Sequence, residues 1–65
     1  MRVTINGHDE IIRVSSLTDL LQKRGWQKNS LVVELNGEIL PQARWEQTEL
    51  QEGDRLELLN FVGGG

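Results

Sequence analysis

At 65 residues, with 37% apolar residues and 7 glycines, the chain is one small globular domain and not a disordered segment. It has no cysteine and no uninterrupted apolar run beyond Leu31-Val32-Val33, which excludes a disulfide framework, a thiolate metal site and a membrane-spanning helix. The net charge of −3 is uneven: residues 1–30 carry five basic against three acidic side chains, residues 31–65 two against seven, and so acidic a second half argues against nucleic acid.

Met1 to Asn6 alternates apolar and polar residues, the pattern of a strand with one buried face. Asn6-Gly7 is a hairpin signal, and Glu10 to Val14 is expected as the return strand. Ser16-Leu17-Thr18-Asp19 reads as a variant capping box opening a helix over Leu17 to Arg24, with Leu17, Leu20 and Leu21 on one stripe. Gly25 suits the left-handed position after that helix, and Trp26 can fold back on Leu20 or Leu21.

Leu31 to Leu35 predicts a third strand with Leu31, Val33 and Leu35 on the core face. Asn36-Gly37 is a second tight turn, followed by a short strand, Glu38-Ile39-Leu40, closed by Pro41. Gln42 to Gln51 reads as a loop with one helical turn, and Trp45 as a plug for the core. After a turn at Glu52-Gly53-Asp54, the last strand should turn Leu56 and Leu58 toward the helix. Leu59 and Phe61 then point the other way, as candidates for an exposed patch that docks a partner.

One helix can bury its stripe on only one sheet face, so this order predicts a two-layer α+β domain. With the first and last strands paired in parallel at the centre, it is a ubiquitin-like β-grasp: a mixed sheet of four to five strands with the main helix on one face. The domain is expected over residues 1–62, with residues 63–65 as a flexible tail.

Catalytic chemistry is sparse. His8 is the only histidine, beside Asp9 in an expected exposed turn, and nothing completes a nucleophile or a metal site around it. Ser15, Ser16, Thr18 and Ser30 lie at element boundaries, where capping accounts for them. No carboxylates follow a calcium-loop spacing, and no glycine-rich loop leads into a helix. Phe61-Val62-Gly63-Gly64-Gly65 is different in kind. Three glycines contribute nothing to a core, but they present a terminal carboxylate on a thin ribbon suited to a narrow enzyme channel. A carboxylate is a poor electrophile, so it needs activation, most simply by adenylation in a nucleotide-using partner.

The run Val33 to Pro41, then Trp45, then Glu52-Gly53-Asp54-Arg55-Leu56-Glu57, then the tail, resembles the ThiS family, the sulfur carrier proteins of thiamine biosynthesis. The resemblance spans the chain in length and element order and is sharpest from Val32 onward. It implies that Gly65 is the residue adenylated and converted to a thiocarboxylate, with Gly63 and Gly64 threading into the partner. It also implies a ubiquitin-activating-type adenylyltransferase (ThiF-like) that uses ATP, a sulfur donor such as a cysteine desulfurase, and a thiazole synthase (ThiG-like) as recipient. The carrier itself would bind no cofactor or metal, act as co-substrate and not as enzyme, and work in the cytoplasm. The small subunit of molybdopterin synthase shares this fold, tail and chemistry. A protein-conjugating modifier and an interaction domain with an inert tail are further alternatives.

Overall fold

The computed structural model describes residues 1–61. Five strands form one sheet in the order β2-β1-β5-β3-β4: β1 (Arg2–Ile5), β2 (His8–Ile11), β3 (Leu31–Leu35), β4 (Glu38–Ile39) and β5 (Arg55–Asn60). The helix α1 (Leu17–Lys23) covers one face, and β1 pairs with β5 in parallel near the centre. This is the expected β-grasp.

Both Asn-Gly turns have positive φ at both residues, 50° and 84° at Asn6-Gly7 and 53° and 89° at Asn36-Gly37. That is the twist a two-residue hairpin requires. It also corrects the position of β2. A two-residue loop must pair Ile5 with His8, so the return strand begins at His8 and ends at Ile11, not Glu10 to Val14. His8 is therefore the first residue of an edge strand and not part of the turn. Beyond β2, the chain termini of the hairpin hold each other: the Met1 amino group donates to Ile12 O at 2.9 Å and Ile12 N donates to Met1 O at 2.8 Å.

Ser16 caps α1, its Oγ accepting from Asp19 N at 3.3 Å, whereas no return bond from the Asp19 carboxylate to Ser16 N is found. Arg24 is the C-cap and lies just outside the helix. Gly25 has φ +73°, and Trp26 N donates to Leu21 O at 3.1 Å while Gly25 N donates to Gln22 O at 3.1 Å. These are the two bonds of a Schellman termination.

The core joins Val3, Ile5, Ile12, Leu17, Leu20, Leu21, Leu31, Val33, Trp45, Leu50, Leu56 and Leu58. Leu17, Leu20 and Leu21 supply the helix stripe, and every second residue of β1, β3 and β5 supplies the sheet side. The polar stretch after Pro41 holds a 3₁₀ helix, Gln42–Gln47, longer than the single turn expected. Its function in the fold is to insert Trp45, 2% exposed, with Nε1 donating to Leu40 O at 2.9 Å. The indole thus fills the lower core without burying an unsatisfied N–H. A second 3₁₀ turn, Lys28–Ser30, leads into β3 and was not expected.

Candidate functional site at the open face of the sheet

Because strand side chains alternate, the residues that oppose the core set project from the face that α1 leaves uncovered. On β5 these are Arg55, Glu57 and Leu59, followed by Phe61; on β3 they are Val32 and Glu34; on β4, Ile39. The register aligns them in rows. Leu59 lies beside Val32, and Glu57 lies beside Glu34, which in turn faces Ile39. Leu59 is 56% exposed, Phe61 44% and Ile39 69%. Both apolar residues singled out in the sequence are thus open to solvent on one side of the sheet.

The end of β5 is well fixed. Phe61 N donates to Ser30 O at 2.8 Å, and Ser30 Oγ donates to Asn60 Oδ1 at 3.0 Å. The exit of the chain is therefore anchored to the residue that precedes β3. Gly63, Gly64 and Gly65, the expected threading and reactive residues, lie outside the described residues, as does the boundary at residue 62.

The structure separates the pair His8 and Asp9. Successive strand residues point to opposite faces, and the Asp9 carboxylate accepts from Thr4 Oγ1 at 3.0 Å. Asp9 therefore cannot orient the imidazole. No group of three or more His, Asp or Glu side chains suited to a metal occurs among the described residues. The ion pair found among them joins Arg24, at the end of α1, to Glu10 on β2. The guanidinium hydrogen-bonded to it holds the Glu10 carboxyl below the usual range, and partial desolvation opposes that shift.

Val32, Glu34, Ile39 and Glu57 were not singled out from the sequence. The Asn36-Gly37 turn alone could have placed Ile39 opposite Glu34, since a two-residue loop fixes that register. The meeting of Glu34 with Glu57 and of Val32 with Leu59 depends on pairing between distant segments.

The family model described as "ThiS family" matches residues 3–65, from β1 through the terminal glycines. This chain belongs to the ThiS family. Its relatives include the sulfur carrier protein ThiS of Bacillus subtilis, 36% identical over 50 residues covering 77% of this chain and 76% of that protein. A thiazole synthase of Paramagnetospirillum magneticum is 35% identical over 66 residues, all of this chain but only 20% of that much longer protein. The crystal structure of the thiamine biosynthesis protein ThiS from Geobacter metallireducens superimposes with a TM-score of 0.82 at 34% identity, covering 100% of both chains. The ThiS family comprises sulfur carrier proteins of thiamine biosynthesis, and the β-grasp sheet with its single main helix is the fold they share.

Proposed function

We propose that this chain carries sulfur as a thiocarboxylate on Gly65 for thiazole formation in thiamine biosynthesis. The observation that supports this reading most is the family match through residue 65, which takes in the glycine run as well as the folded domain. The α-carboxylate oxygen of Gly65 attacks the α-phosphorus of ATP in a ThiF-like, ubiquitin-activating-type adenylyltransferase, and pyrophosphate leaves. The terminal sulfur of a persulfide, supplied by a donor such as a cysteine desulfurase, then attacks the acyl carbon and displaces AMP. A thiol reductant cleaves the resulting acyl disulfide, itself becoming oxidised to a disulfide. The thiocarboxylate so formed delivers its sulfur to a ThiG-like thiazole synthase. The similarity to a thiazole synthase chain supports that recipient.

In this scheme the protein is a co-substrate: residues 1–62 dock, residues 63–65 present the reacting group, and ATP is consumed by the partner in the cytoplasm. Leu59 and Phe61 are the docking contacts. Phe61 is the last described residue, four positions before Gly65, and a fully extended chain gains at most ~3.3–3.6 Å per residue. The partner's nucleotide site must therefore lie within about 14 Å of Phe61 in the docked complex. A pyrophosphate-release assay with a ThiF-type adenylyltransferase and ATP tests the first step. Release that depends on this chain and is lost on deletion of Gly65 supports the reading, and no release refutes it.

A further inference from the structure

The open sheet face carries two features that pull in opposite directions for a free protein. It exposes Ile39, Leu59 and Phe61, a group of large apolar side chains around half-buried Val32. In the row next to Val32 and Leu59, Glu34 and Glu57 sit opposite each other on adjacent strands, with Ile39 beside Glu34. Like charges at a cross-strand position destabilise a sheet, since their Cβ atoms are ~4.5–5.5 Å apart. Neither carboxylate has an ion-pair or hydrogen-bond partner among the described residues. Arg55 stands on the same face two positions from Glu57, but it is aligned with Thr4 on the far side of β5. The folded domain thus sets two like charges side by side at the border of an apolar patch, and neither is in an ion pair among the described residues.

We propose that Glu34 and Glu57 together receive one arginine of the adenylyltransferase, borne on an apolar surface that covers Ile39, Leu59 and Phe61. This rests on the reading of the chain as a carrier activated by that enzyme. A planar guanidinium presents five donors in a fixed fork, enough to engage two carboxylates one strand apart. Closure of apolar surface around the contact lowers the local dielectric and strengthens it. Charge complementarity then acts at three levels: it steers the encounter, fixes register on a face whose apolar contacts alone are non-directional, and relieves a repulsion that the free protein sustains.

The distinguishing consequence is that stability and affinity move apart. Removing one charge relieves the repulsion in the free domain and deletes the contact in the complex. The test is titration of the wild-type chain, Glu34→Gln, Glu57→Gln and the double variant with the ThiF-type adenylyltransferase from the same genome. Calorimetry at low and high salt gives the affinities, and thermal unfolding of each free protein gives the stabilities. Expected are unfolding midpoints equal to or above wild type, a Kd about tenfold weaker or more for each single variant, and a flatter salt dependence for the double variant. Wild-type binding with unchanged affinity and salt dependence in the variants overturns this inference alone. Failure of the wild-type chain to bind overturns it together with the carrier reading.

Discussion

Asn6 and Leu58 are joined by two hydrogen bonds although 52 residues separate them: Asn6 Oδ1 accepts from Leu58 N at 2.8 Å, and Asn6 Nδ2 donates to Leu58 O at 3.3 Å. The main chain of β1 turns away at Gly7, having donated Asn6 N to Leu56 O at 2.9 Å. The carboxamide stands in for the next peptide group and extends the parallel ladder by one rung. Asn36 holds the other side of β5 with one side-chain and one main-chain bond: its Oδ1 accepts from Arg55 N at 2.9 Å and its N donates to Arg55 O at 2.8 Å. Each turn residue that supplies a positive φ also clamps the central strand, the one that leads to the terminus.

Asn6→Ala should therefore cost more than a surface turn substitution. It leaves the Leu58 N–H and C=O without their partner, at ~1–3 kcal/mol, and puts at φ 50° a residue that tolerates the left-handed region less well than Asn. Chemical denaturation measures the loss, and faster exchange of the Leu58 amide locates it. Unchanged exchange at Leu58 would show that the clamp does not hold the strand.

Trp45→Ala removes the largest side chain of the lower core, at ~3–5 kcal/mol. A domain of 65 residues has only about 3–10 kcal/mol in hand at ~0.05–0.15 kcal/mol per residue, so this variant should be largely unfolded or close to it. Trp45→Phe retains most of the packing and loses the bond to Leu40 O, for about 0.5–1.5 kcal/mol plus a smaller packing loss. Urea titrations of the two variants should rank them in that order.

Gly25→Ala isolates a backbone effect. A Cβ built at Gly25 meets no atom within 4 Å, so the cost comes from φ +73° alone, about 1–2 kcal/mol. A smaller loss in thermal unfolding would mean that the helix end relaxes to another termination.

The Glu10–Arg24 pair predicts a pH signature. The Glu10 carboxyl titrates below its unfolded value, so its contribution is present above the ordinary carboxylate range and disappears as pH falls through the folded pKa. Both side chains are about a third exposed, and solvent screening limits the pair to about 0.2–1 kcal/mol. Glu10→Gln should be slightly less stable at neutral pH and match wild type once the carboxylate is protonated. A difference that persists in acid would assign the effect to packing.

Local signals carried far in this chain. Asn-Gly marked both hairpins, Ser16 and Gly25 marked both ends of α1, and the alternation of Leu56 and Leu58 with Glu57 and Leu59 separated core from open face. What escaped was long-range or lacked a periodic signal. The start of β2 was misplaced because Gly7-His8-Asp9 is polar and looks like a longer turn, whereas the turn geometry admits only two loop residues. The 3₁₀ helix at Gln42–Gln47 has no apolar period because it buries one side chain, Trp45. The Asn6 clamp and the Glu34–Glu57 opposition arise from pairing across the chain, which no local pattern encodes.

Phe61→Ser tests the docking face. Phe61 is 44% exposed and lies outside the core cluster, so the variant should fold and unfold close to wild type while activation by the adenylyltransferase falls. Loss of folding would instead make Phe61 a stabilising contact and move the docking surface elsewhere.

The central claim concerns the carboxylate of Gly65, and intact-mass spectrometry after incubation with the adenylyltransferase, ATP and a sulfur donor reads it directly. The account predicts a mass gain equal to exchange of one oxygen for sulfur, located on Gly65 by fragmentation. It also predicts no gain in a chain extended beyond Gly65 by residues that are not removed. Sulfur incorporation into the uncleaved extended chain, or an unchanged mass for the natural chain beside an active enzyme, would contradict it.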